Sequence, residues 1–331
     1  MNRVIALAAA VVSLGIFAWS ATAAPIQHVL VSEALNDRVL EFDLGGNFIG
    51  VFASGFDPSG IRQGSDGNIY IADSTDQPGE TGGGPVRKFN RNGTPLPHAF
   101  NGAADIRPDD LAFDSNGYLF FDNSFGAGSA DDNIYRVNGP SSVTAVVNKG
   151  FNDPDDLTGT DTLDTPRGIA FDGSDKLLVT DRNNQRLLEF DSSTGNLLDV
   201  IMTAQNFIEA PLFDDSSIYY TVRSGSENLA ALREFDGSVK NTWNRLPVAD
   251  HLLLDSIMLP DGDLIVADFL ADEMVRLDSG TGTFSTFASG SFDGTVMDGP
   301  TFAALVTIPE PSVLLLLLLG ALSLLVCRRR R

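Results

Sequence analysis

The feature that most constrains this chain is an internal repeat. A short turn leads into an apolar strand at Asp66-Gly67-Asn68-Ile69-Tyr70-Ile71-Ala72-Asp73, and an alternating strand follows at Val86-Arg87-Lys88-Phe89-Asn90. The first strand recurs at residues 29–32, 118–122, 177–181, 218–221 and 264–268. The second recurs at 38–43, 134–138, 186–191, 232–236 and 274–278, giving six copies of each. A third element precedes most copies, a turn into an inner strand: Pro58-Ser59-Gly60-Ile61, Pro108-Asp109-Asp110-Leu111 and Pro166-Arg167-Gly168-Ile169, with weaker forms at Ala210-Pro211-Leu212 and Asp255-Ser256-Ile257. A repeat of about 40 to 60 residues built of short strands and Gly-Asn, Asn-Gly or Asp-Gly turns fits a four-stranded propeller blade. No stretch of the body carries a capped helical pattern. The expectation is an all-β, six-bladed β-propeller over residues 24–306.

The two ends of the repeat fix how the ring closes. The first copy, starting at His28, lacks an inner strand, whereas the last inner strand, Asp298-Gly299-Pro300-Thr301-Phe302-Ala303-Ala304-Leu305, is followed by nothing of the fold. The C-terminal strand should therefore supply the inner strand of the first blade, which removes the open sheet edges. The extra length between the third and fourth blades lies around residues 150–165 and reads as a surface loop.

The ends themselves are not fold. Arg3 is the only charge in the first 23 residues, residues 4–17 are almost wholly apolar, and Ala21-Thr22-Ala23 presents small residues where a signal peptidase reads. Cleavage is expected after Ala23, because a cut after Ala24 would leave Pro25 first. The alternative, an N-terminal anchor, meets a run shorter than a typical ~20-residue span. At the other end Pro309-Glu310-Pro311 precedes an apolar run, 312–326, and then Arg328, Arg329, Arg330 and Arg331. A transmembrane segment is expected at about 312–327, with the arginines cytoplasmic by the positive-inside rule. An ordinary C-terminal anchor without processing is the alternative.

Charge narrows the partners. Of 22 Lys and Arg, five are Arg3 and the four terminal arginines, so 17 stand between the ends against all 44 Asp and Glu. So acidic a body opposes nucleic acid, whose phosphates need Lys and Arg. Cys327, in the tail, is the only cysteine, so the body is held without disulfides by its apolar core.

The Pro-x-Gly-Ile inner strand, the Asp-Gly-Asn-Ile-Tyr-Ile-Ala-Asp strand and Asn36-Asp37-Arg38-Val39-Leu40-Glu41-Phe42-Asp43 resemble the NHL-repeat propellers across most of residues 28–306, best in blades one, two and four. They also look like the wider set that holds gluconolactonase-type and streptogramin-lyase-type propellers. The tail resembles the PEP-CTERM sorting signal of Gram-negative bacteria. That resemblance implies an exosortase-type processing enzyme, attachment to the inner membrane at first, and later release to the cell surface or extracellular matrix.

Candidate chemistry is sparse. His28, His98 and His251 fall in different blades, and there is no His-Glu-x-x-His motif. The zinc of NHL-type peptide-processing lyases therefore finds no matching histidine set. Nor can the Glu, Asn and Asp that gluconolactonase-type enzymes place on a divalent cation be matched. The segment Asp153-Pro154-Asp155-Asp156-Leu157-Thr158-Gly159 fails as an EF-hand, since Leu157 sits where an oxygen ligand is needed. No Gly-x-Ser-x-Gly or Ser-x-x-Lys motif occurs, and Gly82-Gly83-Gly84 precedes a strand rather than a helix. One looser set remains. Turns into the inner strands should bring Asp109, Asp110, Glu209, Asp255 and Asp298 toward one end of the axis, with Arg167 among them, where carboxylates could hold Ca²⁺. Two functions follow: a non-enzymatic surface protein that binds a protein or polysaccharide, or a divalent-metal-dependent hydrolase, lactonase or lyase.

Overall fold

The computed structural model describes residues 26–74, 83–103, 106–123, 132–151, 162–203, 207–214, 217–223, 230–245 and 251–308. The expected leader with Ala21 and Ala23, and the tail from Pro309 to Arg331, lie outside the described residues. So does most of the Asp-rich insertion between blades three and four. Among the described residues no helix is long and apolar enough to cross a membrane.

The compact unit, His28–Val306, is all-β. Its strands in chain order are β1 (Ile26–Glu33), β2 (Arg38–Asp43), β3 (Phe48–Ser54), β4 (Pro58–Gln63), β5 (Ile69–Asp73), β6 (Val86–Phe89), β7 (Pro95–Phe100), β8 (Pro108–Phe113), β9 (Leu119–Asn123), β10 (Ile134–Gly139), β11 (Ser142–Val147), β12 (Pro166–Phe171), β13 (Lys176–Asp181), β14 (Arg186–Asp191), β15 (Leu197–Thr203), β16 (Phe207–Asp214), β17 (Ser217–Arg223), β18 (Ala230–Phe235), β19 (Val239–Asn244), β20 (Leu253–Met258), β21 (Leu264–Asp268), β22 (Glu273–Asp278), β23 (Thr283–Ser289), β24 (Ser291–Phe292), β25 (Thr295–Val296) and β26 (Pro300–Ile308). Five consecutive sets of four, β4 to β23, form five sheets. The sixth sheet has the order β26-β1-β2-β3. This is a six-bladed propeller whose first blade takes its inner strand from the C-terminal end of the body, as the repeat arithmetic requires. A short hairpin, β24–β25, precedes the closing strand.

The core divides by blade interface. Six apolar clusters occur among the described residues, and each joins two neighbouring blades. Ile257, Ile265 and Met274 of blade six meet Val29, Leu40 and Phe42 of blade one. Leu178 and Leu187 of blade four meet Ile208, Ile218 and Tyr220 of blade five. Second strands such as β5, β9 and β21 are buried along their whole length because a blade lies against each face. Burial of each Leu, Ile or Phe contributes roughly 1.5–3 kcal/mol, which suffices to hold a disulfide-free ring.

Each inner strand of blades two to six starts with a register shift, as between Pro58 and Ile61, Pro108 and Leu111, and Pro166 and Ile169. The bulge leaves backbone N–H groups unpaired within the blade and aims them at the neighbouring blade. It also brings inner strands into close approach. A Cβ on Gly168, whose φ is +142°, would lie 2.4 Å from Ala210 Cα, and one on Gly60 would lie 2.7 Å from Asp109 O. That is why the repeat favours Gly at this position.

Much of the acidity is used in the turns. Asp43, Asp114, Asp172 and Asp191 accept the backbone N–H groups of the turn that follows each of them. Others end a second strand and pair with an arginine that begins the third: Glu33 with Arg38, and Asp181 with Arg186.

Candidate functional site: the axial channel

The channel follows from the bulges. Ser59, Asp109, Arg167, Glu209, Leu254 and Thr301 occupy equivalent positions at the start of the six inner strands, and several of them line one mouth of the channel. A cavity of ≈280 Å³ there is lined by Asp57, Ser59, Arg107, Asp109, Arg167 and Thr301, among others. Two of the five predicted carboxylates belong to this mouth, and an arginine holds them together. Arg167 Nε lies 3.3 Å from Asp109 Oδ2 and 3.7 Å from Glu209 Oε2. Arg182 Nε donates to Glu209 Oε1 at 2.8 Å. The Asp109 carboxylate keeps Arg167 firmly protonated against the cost of burial, and Glu209 adds to this. Nearby, burial and the Asp73 carboxylate raise Asp57 to about 6.

Asp110 and Asp255 lie one residue deeper, at the position where blades two and four carry Gly60 and Gly168. Both are almost fully buried. They sit in blades three and six, on opposite sides of the ring; Arg62 of blade two pairs with Asp110, Nη2 to Oδ1 at 3.0 Å, and its charge also acts on Asp255. Asp110 accepts the N–H of Ile169 at 3.1 Å, and Asp255 accepts the N–H of Ala303 at 3.0 Å. Each is thus tied to the bulge of the next blade. Asp122 joins the group, accepting Asp110 N at 2.6 Å and Gly168 N at 2.7 Å. Burial pushes the Asp255 carboxyl up to about 7, against the attraction of Arg62. Burial also raises Asp110, again against Arg62. Asp122 is raised well above the carboxylate range by burial and by the charges of Asp109 and Asp110. Burial works against the charge of Arg62, but Asp110, Asp255 and Asp122 outweigh it.

The fifth predicted residue, Asp298, is not in this constellation. It is exposed, and its backbone N–H donates to Glu33 at 2.7 Å. Sequence reasoning also missed two members. Arg62 has no signal in the repeat, since it follows the motif. Asp122 looks like the strand-ending acid of the other blades, but Asn123 is the residue that pairs with Pro108, as Asp73 pairs with Pro58 and Asp181 with Pro166. A one-residue difference in register turns Asp122 to the other face of the sheet.

The opposite mouth is a second cavity, ≈450 Å³, lined by the far ends of all six inner strands. Its walls are chiefly apolar, with Arg62, Gln63 and Ser256 among them.

Calcium takes six to eight oxygen ligands and tolerates no cation among them. Arg167 stands against Asp109 and Glu209, Arg182 against Glu209 and Arg62 against Asp110, so although Glu209 Oε2 makes no hydrogen bond among the described residues, this donor set does not fit a divalent ion. Among the described residues one group, away from the axis, places three ligand atoms within 4.8 Å of one another: His251, Asp268 and Glu273. There His251 Nδ1 lies 2.6 Å from Asp268 Oδ2, and Arg245 pairs with both Asp268 and Glu273. A guanidinium again takes the place a metal would need.

Blades, closing strand and axial channel define a six-bladed β-propeller. The family model for the NHL repeat matches residues 163–190, which hold β12, β13 and most of β14 in blade four. No curated protein matches the sequence. Among solved structures the fold is similar to a chain of a nidogen/laminin complex at 12% identity, TM-score 0.62, over 85% of this chain and 98% of that one. It is also similar to a protein of unknown function from Bacteroides caccae at 13% identity, TM-score 0.57, over 86% and 99%. A gluconolactonase from Xanthomonas campestris matches at 14% identity, TM-score 0.55, over 75% and 84%. At such identities the likeness is one of fold.

Proposed function

We propose that this chain is an exported, non-catalytic binding propeller, delivered by its tail to the cell surface or extracellular matrix. The observation that carries the reading is the Arg167 bridge between Asp109 and Glu209. A general base or a metal ligand needs a carboxylate lone pair aimed at substrate or ion. Here the carboxylates of the predicted mouth are turned to guanidinium groups of the same chain.

The tail's order of motif, apolar run and arginines supports the sorting half of the reading. The closing strand supports it too. β26 ends at Ile308, one residue before Pro309, so a cut by an exosortase-type enzyme near Pro309-Glu310-Pro311 would remove the apolar run without taking a blade strand. The expected partner is a surface protein or polysaccharide, met by the loops of a propeller face. An acidic body excludes nucleic acid.

The test is to express the chain in a Gram-negative host that carries an exosortase, and to measure both fate and turnover. Mass spectrometry should find a mature N-terminus at Ala24 and a C-terminus near residue 309, with the protein at the surface or in the medium. Assays with lactones and divalent cations should show no turnover. Turnover that disappears with Asp109→Asn would replace this reading with the metal-dependent hydrolase, lactonase or lyase. An intact tail that stays in the inner membrane would remove the sorting half.

A further inference from the structure

The mouth opposite the Arg167 bridge differs from it in chemistry. Gln63, Phe113, Phe171, Phe213, Met258 and Leu305 each come from the far end of one inner strand, and together they ring the opening. All six are half-buried. Five are apolar, and the three phenylalanines are consecutive, in blades three, four and five. Inside the ring stand two polar groups. Ser256 is buried, and its Oγ has no hydrogen-bond partner among the described residues. Arg62 is one-quarter exposed at its side chain and is fixed from behind, Nη1 donating to Ile61 O at 2.8 Å and Nη2 to Asp110.

A buried hydroxyl without a partner costs roughly 1–3 kcal/mol. It stands here in the wall of a ≈450 Å³ cavity, within the range of small-molecule sites, which pair apolar walls with a few placed polar groups. We propose that this mouth binds a small uncharged molecule with an aromatic or alkyl body and a carbonyl or amide acceptor at one end. The body lies within the ring of Phe113, Phe171 and Phe213. The acceptor takes hydrogen bonds from Ser256 Oγ and from the outward N–H groups of Arg62. The ligand should be uncharged because the Arg62 guanidinium is already paired with a carboxylate of this chain, Asp110, at 3.0 Å. This site is separate from the mouth discussed under the proposed function and stands whether or not that reading does.

The full-length protein in lipid nanodiscs can be titrated with acetanilide, a neutral aromatic amide, and with benzoate, by saturation-transfer NMR against empty nanodiscs. Acetanilide should bind saturably and benzoate at least tenfold more weakly. Ser256→Ala should weaken acetanilide about 5-fold, the loss of one hydrogen bond. Its melting temperature should not fall, since the hydroxyl has no protein partner to lose. Phe171→Ser with Phe213→Ser should abolish binding, and Asp109→Asn at the other mouth should leave it unchanged. No saturable binding by the wild type overturns the proposal, as does benzoate binding equal to or tighter than acetanilide. Acetanilide binding insensitive to both Ser256→Ala and the paired phenylalanine changes also overturns it, since the probe then sits elsewhere.

Discussion

Replacing Asp255 by Asn should make the protein more stable at alkaline pH, although the residue is buried and hydrogen-bonded. Asp255 is held at about 7 in the folded chain, against 3.8 for an ordinary Asp. A raised carboxyl means that the folded state keeps a proton the unfolded state has released. Stability from this group is therefore full below pH 4 and is lost as pH rises toward 7. The slope for one group is at most about 1.4 kcal/mol per pH unit, or about 4 kcal/mol across the three-unit window. Asn can still accept the N–H of Ala303, and Arg62 keeps Asp110. Urea unfolding of the two proteins from pH 4 to 8.5 gives the difference directly, and Asp122 and Asp57, whose carboxyls are raised in both, drop out of it; the charge of Asp110, which itself raises Asp255, does not. The variant should be equal or weaker near pH 4 and the stronger of the two above pH 7.5. Parallel curves, or a variant that loses ground as pH rises, would refute the argument.

Other outcomes follow from the same packing. A chain ending at Ile308 should melt as the longer protein does, whereas one ending at Met297 loses β26 with its buried Phe302, Ala303 and Val306 and should fail to fold cooperatively; equal melting of the two would refute closure. Gly168→Ala forces a Cβ against Ala210 and should cost about 1–3 kcal/mol by denaturant titration. Arg38→Met leaves the buried Glu33 carboxylate without its cation, and also removes the bonds from Arg38 to Phe292 O and Thr295 O beside the closing strand. Its cost should be about 3–5 kcal/mol.

What the sequence displays follows burial. The inner, second and third strands of each blade are legible because they carry apolar residues into the blade interfaces, as in Ile69–Asp73 and Arg186–Asp191. The outer strands are not, because they face solvent. Val239–Asn244 is exposed along nearly its whole length, and Phe48–Ser54 alternates around a single buried Phe52. Ring closure is legible as a count, one inner strand lacking at the start and one left over at the end. The site is legible only in part. Asp109, Asp110, Glu209 and Asp255 announce themselves by replacing the usual small or apolar residues of the motif. Their partners do not, because Arg62 and Arg182 reach Asp110 and Glu209 from other strands and other blades. A carboxylate set without its arginines resembles a cation site; with them it is an internally neutralised frame.

Asp109 and Glu209 stand against this chain's own Arg167 and Arg182, and Asp110 against Arg62. Calorimetric titration of the full chain with Ca²⁺ shows whether those guanidinium groups leave room for a cation. No saturable binding is expected up to millimolar Ca²⁺. One Ca²⁺ bound per chain, and lost on replacing Asp109 by Asn and Glu209 by Gln, would overturn this reading of the mouth.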